Sequence, residues 1–416
     1  MTKQTPQRSF KEFVFLMGMM TATAALAIDA VMPALGLIGH ALNVQSENDN
    51  QLIISLLFAG MALGQLIYGP LSDSIGRKPA IYIGFGLYIA GAVIAVLSTS
   101  LSVMLAGRFL QGLGAAGPRI VSVALIRDLY EGRMMASVMS FIMSIFIFVP
   151  AVAPALGEGL LFLWGWHAIF WLFIGVAALT LFWFALRQPE TLPAAERAPF
   201  SLRHITAGII ETCKNPTAFG YTVAMGFIFS AFIGYLSSAQ QVFQDIYRTG
   251  SMFPFYFGMF ALSIGLASFV NARLVLRFGM RPISTTSLVA LTLIAVAFLG
   301  VAALYDGVPP FWSFMAFGML TFFCLGMLFG NLNAMAMEPL GHIAGIGAAV
   351  IGSLSTLIAV PIGVTMGRLY DGTLFALVGG FALLGAVSLA VMRATARRQM
   401  HSVLLDASGE HSRKTP

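Results

Sequence analysis

Apolar residues in this chain do not alternate with polar ones. They run in blocks of about twenty, separated by short polar gaps. A helix that crosses the hydrocarbon of a bilayer needs about 20 mainly apolar residues, and twelve blocks qualify: 13–38, 51–71, 79–98, 101–125, 136–160, 166–187, 217–240, 252–273, 282–304, 310–334, 343–366 and 373–392. The longest polar stretch, 188–216, opens with Gln188-Pro189-Glu190 and divides the blocks six and six. The pattern predicts an all-helical membrane protein with a first six-helix half over 1–187, a linker over 188–216, a second half over 217–392 and a polar tail over 393–416.

The two halves carry a short repeat. Gly76-Arg77-Lys78-Pro79 after the second block returns as Gly279-Met280-Arg281-Pro282 after the eighth, 203 residues later. A basic turn at the same place in each half points to a duplicated bundle, an architecture that places binding sites between its repeats.

Composition removes the soluble alternatives. Of 416 residues, 58% are hydrophobic and 10% charged, whereas soluble domains carry about 25% charged residues. Disorder needs the opposite composition, and two cysteines, Cys213 and Cys324, make no multi-bridge framework. A net charge of +6 would suit nucleic acid if the basic residues shared one solvated face, but they lie in the gaps between blocks. Their distribution gives an orientation instead, because short cytoplasmic loops hold an excess of Lys and Arg. With the N-terminus inside, nineteen fall on the cytoplasmic side, and only Arg248 and Arg368 fall opposite. Both termini are therefore expected in the cytoplasm. The first block resembles a secretory signal around Ala25 and Ala27, but its continuation to Leu37 and the eleven blocks that follow favour a single uncleaved first helix.

Three charges lie well inside spans. A carboxylate at membrane depth costs about 2.5–3.5 kcal/mol on insertion scales, so such residues usually face a cavity and serve a purpose. Asp29 is the only acid well inside a span, nine residues from the end of the first block, or about 14 Å at helical rise. Arg108 lies at comparable depth in the fourth. Low dielectric favours the neutral acid and a nearby guanidinium the carboxylate. A carboxyl whose distance from Arg108 changes with conformation could therefore load and release a proton; the other reading is a fixed structural ion pair. Arg119 follows Arg108 by eleven residues, three turns along nearly the same helix face. It either lines the cavity, disfavouring cationic substrates, or snorkels to the cytoplasmic surface.

Several motifs resemble one family. Gly69-Pro70-Leu71-Ser72-Asp73-Ser74-Ile75-Gly76-Arg77-Lys78-Pro79 looks like the signature between helices 2 and 3 of the major facilitator superfamily. Ile28-Asp29-Ala30-Val31-Met32-Pro33 and Gly107-Arg108-Phe109-Leu110-Gln111-Gly112-Leu113-Gly114-Ala115 resemble motifs of its drug:proton antiporters. Arg127-Asp128-Leu129-Tyr130, Ala153-Pro154-Ala155-Leu156-Gly157, Trp166-His167 and Met337-Glu338-Pro339 are similar to the Bcr/CflA group of multidrug exporters.

The resemblance implies the major facilitator fold, with twelve transmembrane helices in two six-helix pseudo-repeats. It also implies alternating access driven by the proton gradient, with no cofactor and no metal. The substrates would be small amphiphilic drugs such as chloramphenicol- or bicyclomycin-like compounds; the alternative is export of a native metabolite or proton-coupled uptake. It assigns proton coupling to Asp29 and Arg108, and leaves open whether Asp29 carries the proton, binds a cationic drug, or does both. A latch that closes the cytoplasmic side is expected from Gly69, Asp73, Gly76, Arg77 and Asp128, with Arg77 pairing with Asp128 and Asp73 facing a helix of the other half. The substrate cavity is expected to take Gln111 and Arg119 from the first half, and Tyr235 and Asn331 from the amide- and aromatic-bearing spans of the second. Partners are small molecules, protons and the bilayer, with no nucleic acid, and the expected state is a monomer. Two departures stand out: Arg119 replaces a small or apolar residue, and Glu158 follows Gly157 where a second glycine is usual. No P-loop and no His-based metal motif occurs in the sequence, so neither ATP-driven pumping nor an enzyme is expected.

Overall fold

A computed structural model describes residues 10–130 and 132–413. Lys3, Arg8 and Lys414, counted in the charge asymmetry, lie outside the described residues, as do the side chains of Arg133 and Arg413. Among the described residues every regular element is helical. The order is α1 Phe10–Asp29, α2 Leu35–Ala41, α3 Leu52–Ile75, α4 Arg77–Val96, α5 Leu101–Leu129, α6 Gly132–Trp164, α7 His167–Arg187, α8 Leu202–Lys214, α9 Pro216–Gln241, α10 Phe253–Phe278, α11 Met280–Leu304, α12 Phe311–Met337, α13 Ala344–Arg368 and α14 Phe375–Arg413. Each of the twelve apolar blocks coincides with a helix or, for the first, with a pair of them.

The first block differs from the continuous helix expected of it. It forms α1, a single 3₁₀ turn over Met32–Ala34, and the short α2. Pro33 explains the break, because it has no N–H for the carbonyl of Asp29 four residues earlier and its ring crowds that carbonyl. The chain tightens to an Ala34 N–H bond on the Val31 carbonyl at 3.0 Å. The polar stretch between the halves also holds more order than expected, since α8 occupies 202–214. Its Ile205 and Thr212 are buried and its Gly208 lies against Ile346 of α13. The tail, too, continues α14 as helix to Arg413.

The chain divides into two compact units. The first comprises residues up to Ser201 together with Leu236–Leu262, the adjoining ends of α9 and α10. Within it α5 runs between α3 and α4 through a series of glycines. A Cβ at Gly60 or Gly112 would overlap the carbonyl of Phe109 or Leu57, and one at Gly107 or Gly114 would meet the α4 backbone at Gly91 or Gly84. Small residues permit such approach where lipid supplies no hydrophobic drive between helices. On the other side of α1, Gly157 of α6 lies against the backbone of Ala30, immediately after the break.

The second unit holds Leu202–Tyr235 and the chain from Ser263 onward. Asn215 starts α9 by accepting the Thr217 and Ala218 N–H groups, both at 3.0 Å, on its side-chain oxygen, the usual chemistry of an N-cap. Ser263 donates to the Met319 carbonyl at 2.7 Å, Ser388 to Ala224 at 2.9 Å, and aromatic rings fill the space between α9 and α12. The repeated turn has the same backbone in both units. Gly76 between α3 and α4 has φ 103° and ψ 161°, and Gly279 between α10 and α11 has φ 80° and ψ 165°. That region of conformational space is essentially reserved for glycine, which gives the four-residue sequence repeat a structural basis.

Candidate functional site

Arg108 lies in α5 and is fully buried. A buried guanidinium needs partners for its donors, and it finds them on three elements. Nε donates to the Ile53 carbonyl at 2.9 Å, one terminal nitrogen to the Gln111 Oε1 at 2.7 Å, and the other to the Ala27 carbonyl at 2.8 Å. The face of Phe170 lies 5.9 Å away, within cation–π range. The break after Asp29 makes the third bond possible. A helix end leaves its last carbonyls without N–H partners, and Arg108 takes the one at Ala27 while placing a positive charge at the negative end of the α1 dipole.

Asp29 is the last residue of α1 and is 5% exposed. Its carboxyl makes no hydrogen bond or ion pair among the described residues, and each of the three guanidinium nitrogens of Arg108 donates elsewhere, to the two carbonyls and Gln111. The fixed Asp29–Arg108 ion pair is thus not formed. The two residues are linked through the α1 backbone, because Arg108 grips the carbonyl two residues before the acid. Gln111, expected in the substrate cavity, is fully buried as the side-chain acceptor of Arg108. Arg119, on the same stripe of α5, has an accessible side chain, whereas that of Arg108 is fully buried.

At the other end of α3, Arg77 organises the turn. It is 4% exposed, and its Nε reaches Asp128 at 2.9 Å. One terminal nitrogen reaches Ser72 Oγ at 2.8 Å and Asp73 at 2.5 Å, and the other lies 3.4 Å from the second Asp128 oxygen. The Arg77–Asp128 contact is the one the motif implies. The Asp73 carboxylate accepts from Arg77, and the Gly69 carbonyl accepts from Ser72 at 2.9 Å.

Sequence reasoning missed the groups that complete this turn. Glu190, read only as the start of a linker, accepts the backbone N–H groups of Arg77 and Lys78, each at 3.0 Å, one on each carboxylate oxygen. An acid is well placed at a helix N-terminus. The same residue accepts the N–H groups of Thr191 and Leu192 at 3.0 Å. Thr191 donates its hydroxyl to Asp128 at 2.9 Å, and Ala198 donates its N–H to the Asp73 carbonyl at 3.1 Å. Residues 188–198 therefore form a strap over the turn. The signal available was a proline-flanked acid following the sixth span, which by itself names no partner.

In the second unit Asn331 is 4% exposed and forms a reciprocal amide pair with Asn271, with N···O distances of 2.8 and 3.2 Å, while also donating to the Met327 carbonyl at 3.0 Å. Tyr235 is buried edge-on to Phe322, with ring centroids 4.6 Å apart, beside Phe232 and its stacked neighbour Phe229. Asn271 joins Asn331 from α10, a pairing that no spacing rule in the sequence discloses.

Among the described residues, twelve long helices in two units that share one glycine turn define a multi-pass membrane protein of duplicated architecture. The model of the Major Facilitator Superfamily matches residues 16–363, and the chain belongs to that family of transporters. Among similar proteins, a bicyclomycin resistance protein homolog from Haemophilus influenzae is 31% identical, over 84% of this chain and 87% of its own length. The multidrug resistance protein MdtL of Shigella dysenteriae is 29% identical, over 78% of this chain and 80% of its own length. Among solved structures, that of the peptide transporter POT with sulfate superposes with a TM-score of 0.75 at 15% identity, covering 95% of this chain and 96% of that one. The last likeness concerns the fold alone.

Proposed function

We propose that this transporter exports small amphiphilic compounds, of the chloramphenicol or bicyclomycin kind, in exchange for protons across the bacterial inner membrane, with both termini in the cytoplasm. One observation carries the reading: Asp29 is buried at a helix break, without a cation partner among the described residues, two residues from a carbonyl held by Arg108. An acid at membrane depth is expected to meet either a proton or a cationic ligand. The break is a natural place for either to act, because a change of charge at Asp29 alters the end of α1 that Arg108 holds. In this scheme protonation from outside releases substrate outward, and loss of the proton inside restores the substrate-binding state. The drug-resistance relatives support the substrate class.

The turn around Arg77 acts in this scheme as a cytoplasmic latch, and Arg119, Tyr235 and Asn331 contribute to substrate contact. The protein works as a monomer. The test is proton-coupled efflux from proteoliposomes, alongside growth of an efflux-deficient bacterium across a panel of chloramphenicol-like, cationic and fluoroquinolone compounds. Asp29→Asn is expected to fold and to lose both resistance and substrate-dependent proton movement. Unchanged coupled efflux in that variant would sink the mechanism. Resistance with the native chain to neutral but not cationic compounds is the result expected if Arg119 excludes cations.

A further inference from the structure

A cavity of about 250 Å³ lies at the end of α3 opposite the Arg77 turn, and all the residues that line it belong to the first unit. His40 of α2, Glu47 before α3 and Asp245 after α9 line it with exposed side chains that make no hydrogen bond or ion pair among the described residues. Asn50 lines it from a buried position, 7% exposed, and its side-chain oxygen has no hydrogen-bond partner. That amide packs on Gly39, where a Cβ would overlap it, so the missing side chain makes room for it. The adjacent amides are already engaged: Gln51 donates to Gln241 at 2.6 Å, and Gln241 to Asn48 at 2.9 Å. Gln240 also lines the cavity, its side-chain Nε2 beside Gly36, and the buried Asn50 oxygen is left unmet. A buried polar group without a partner costs about 1–3 kcal/mol, which a donor bound in the cavity would relieve.

Two carboxylates and an amide oxygen, with no Lys or Arg in the lining, form an acceptor set in search of N–H groups and positive charge. A primary ammonium supplies three donors and the charge. Pro33, Leu37 and Val44 give the same cavity an apolar wall, so the ammonium would ride on a compact apolar body. No group of three His, Cys, Asp or Glu side chains suited to a metal ion occurs among the described residues. We infer that this cavity is a binding site for a small primary ammonium compound, separate from Asp29, with Glu47 and Asp245 drawing in the cation and Asn50 accepting one of its protons. In the orientation proposed above it opens to the outside. The inference depends neither on the direction of transport nor on the role of Asp29.

The test uses the full chain in nanodiscs of neutral phosphatidylcholine, titrated calorimetrically with phenethylammonium chloride and with phenethyl alcohol as the uncharged match. The expected results are binding of the ammonium and no measurable binding of the alcohol. The Glu47→Gln/Asp245→Asn double variant should lose about tenfold in affinity, as charge pairing with a desolvated ligand warrants. Asp29→Asn should stay within about twofold. Raising the salt from about 0.05 to about 0.3 M should weaken the native complex, since rim charges are screened, and this needs no variant. The assignment falls if the alcohol binds as well as the ammonium, if the double variant keeps its affinity, if salt has no effect, or if Asp29→Asn abolishes binding. Displacement of the ammonium by an equal concentration of calcium chloride would also overturn it, in favour of an inorganic cation site.

Discussion

At the scale of single residues, two side chains decide most of the chemistry. Arg108 acts as a cap as much as a charge, holding Ala27, Ile53 and Gln111 together with one planar group. A lysine keeps the charge but has no fork. Arg108→Lys should therefore leave at least one buried acceptor unmet and cost about 2–3 kcal/mol, read as a lower melting temperature in detergent together with lost transport. The two turn glycines make a paired test. Gly279→Ala suffers only the backbone penalty, since nothing lies within 4 Å of its added Cβ; that penalty is about 1–3 kcal/mol. Gly76→Ala suffers the same penalty and also meets Glu190 Oε2 at 2.6 Å. It should melt lower than Gly279→Ala, and equal melting would show that the Glu190 contact contributes nothing. Asp29 and Arg108 were visible in the sequence because charge in an apolar block is rare, and the Arg77–Asp128 pair because the motif around Arg77 resembles the family signature. The acceptors of Arg108 were not, because backbone carbonyls 55 and 81 residues away leave no mark on composition.

At the scale of elements, the length of the apolar runs made the helices legible, and it also hid the break in the first of them. The mainly apolar run 13–38 read as one span, although Pro33 stands four residues after Asp29, where it must disturb the helix. Packing then fixes the outcome, with Gly157 of α6 against Ala30 and Arg108 on Ala27. Pro33→Ala returns an N–H to the carbonyl of Asp29 and allows α1 to run on. Its stability should change by no more than about 1 kcal/mol, because a gained bond offsets the loss of a rigid residue. Efflux should nevertheless fall by about tenfold, because continuing the helix would occupy the Ala27 carbonyl and shift the acid. Melting curves and efflux rates measured together would decide it; a variant transporting at the native rate would show that the break is incidental. Helix α8 escaped notice for the opposite reason, since its apolar positions are too few to stand out in a polar stretch bounded by prolines.

At the scale of the molecule, duplication was legible from four residues because the turn they build needs glycine in a conformation other residues avoid, and both units show it. How the pieces of the first unit are held was not legible, because residues beyond its last span take part. The segment 188–198 delivers Glu190 to the start of α4, Thr191 to Asp128 and Ala198 to Asp73. This sets where the polypeptide can be severed. Two co-expressed fragments, 1–201 and 202–416, leave every one of those contacts on one piece and should complement each other in drug resistance. Fragments 1–187 and 188–416 place the turn and its carboxylate on separate pieces, and should complement poorly or not at all. Peptide covering 188–201, added in trans to the shorter first fragment, would then be expected to restore what the cut removed.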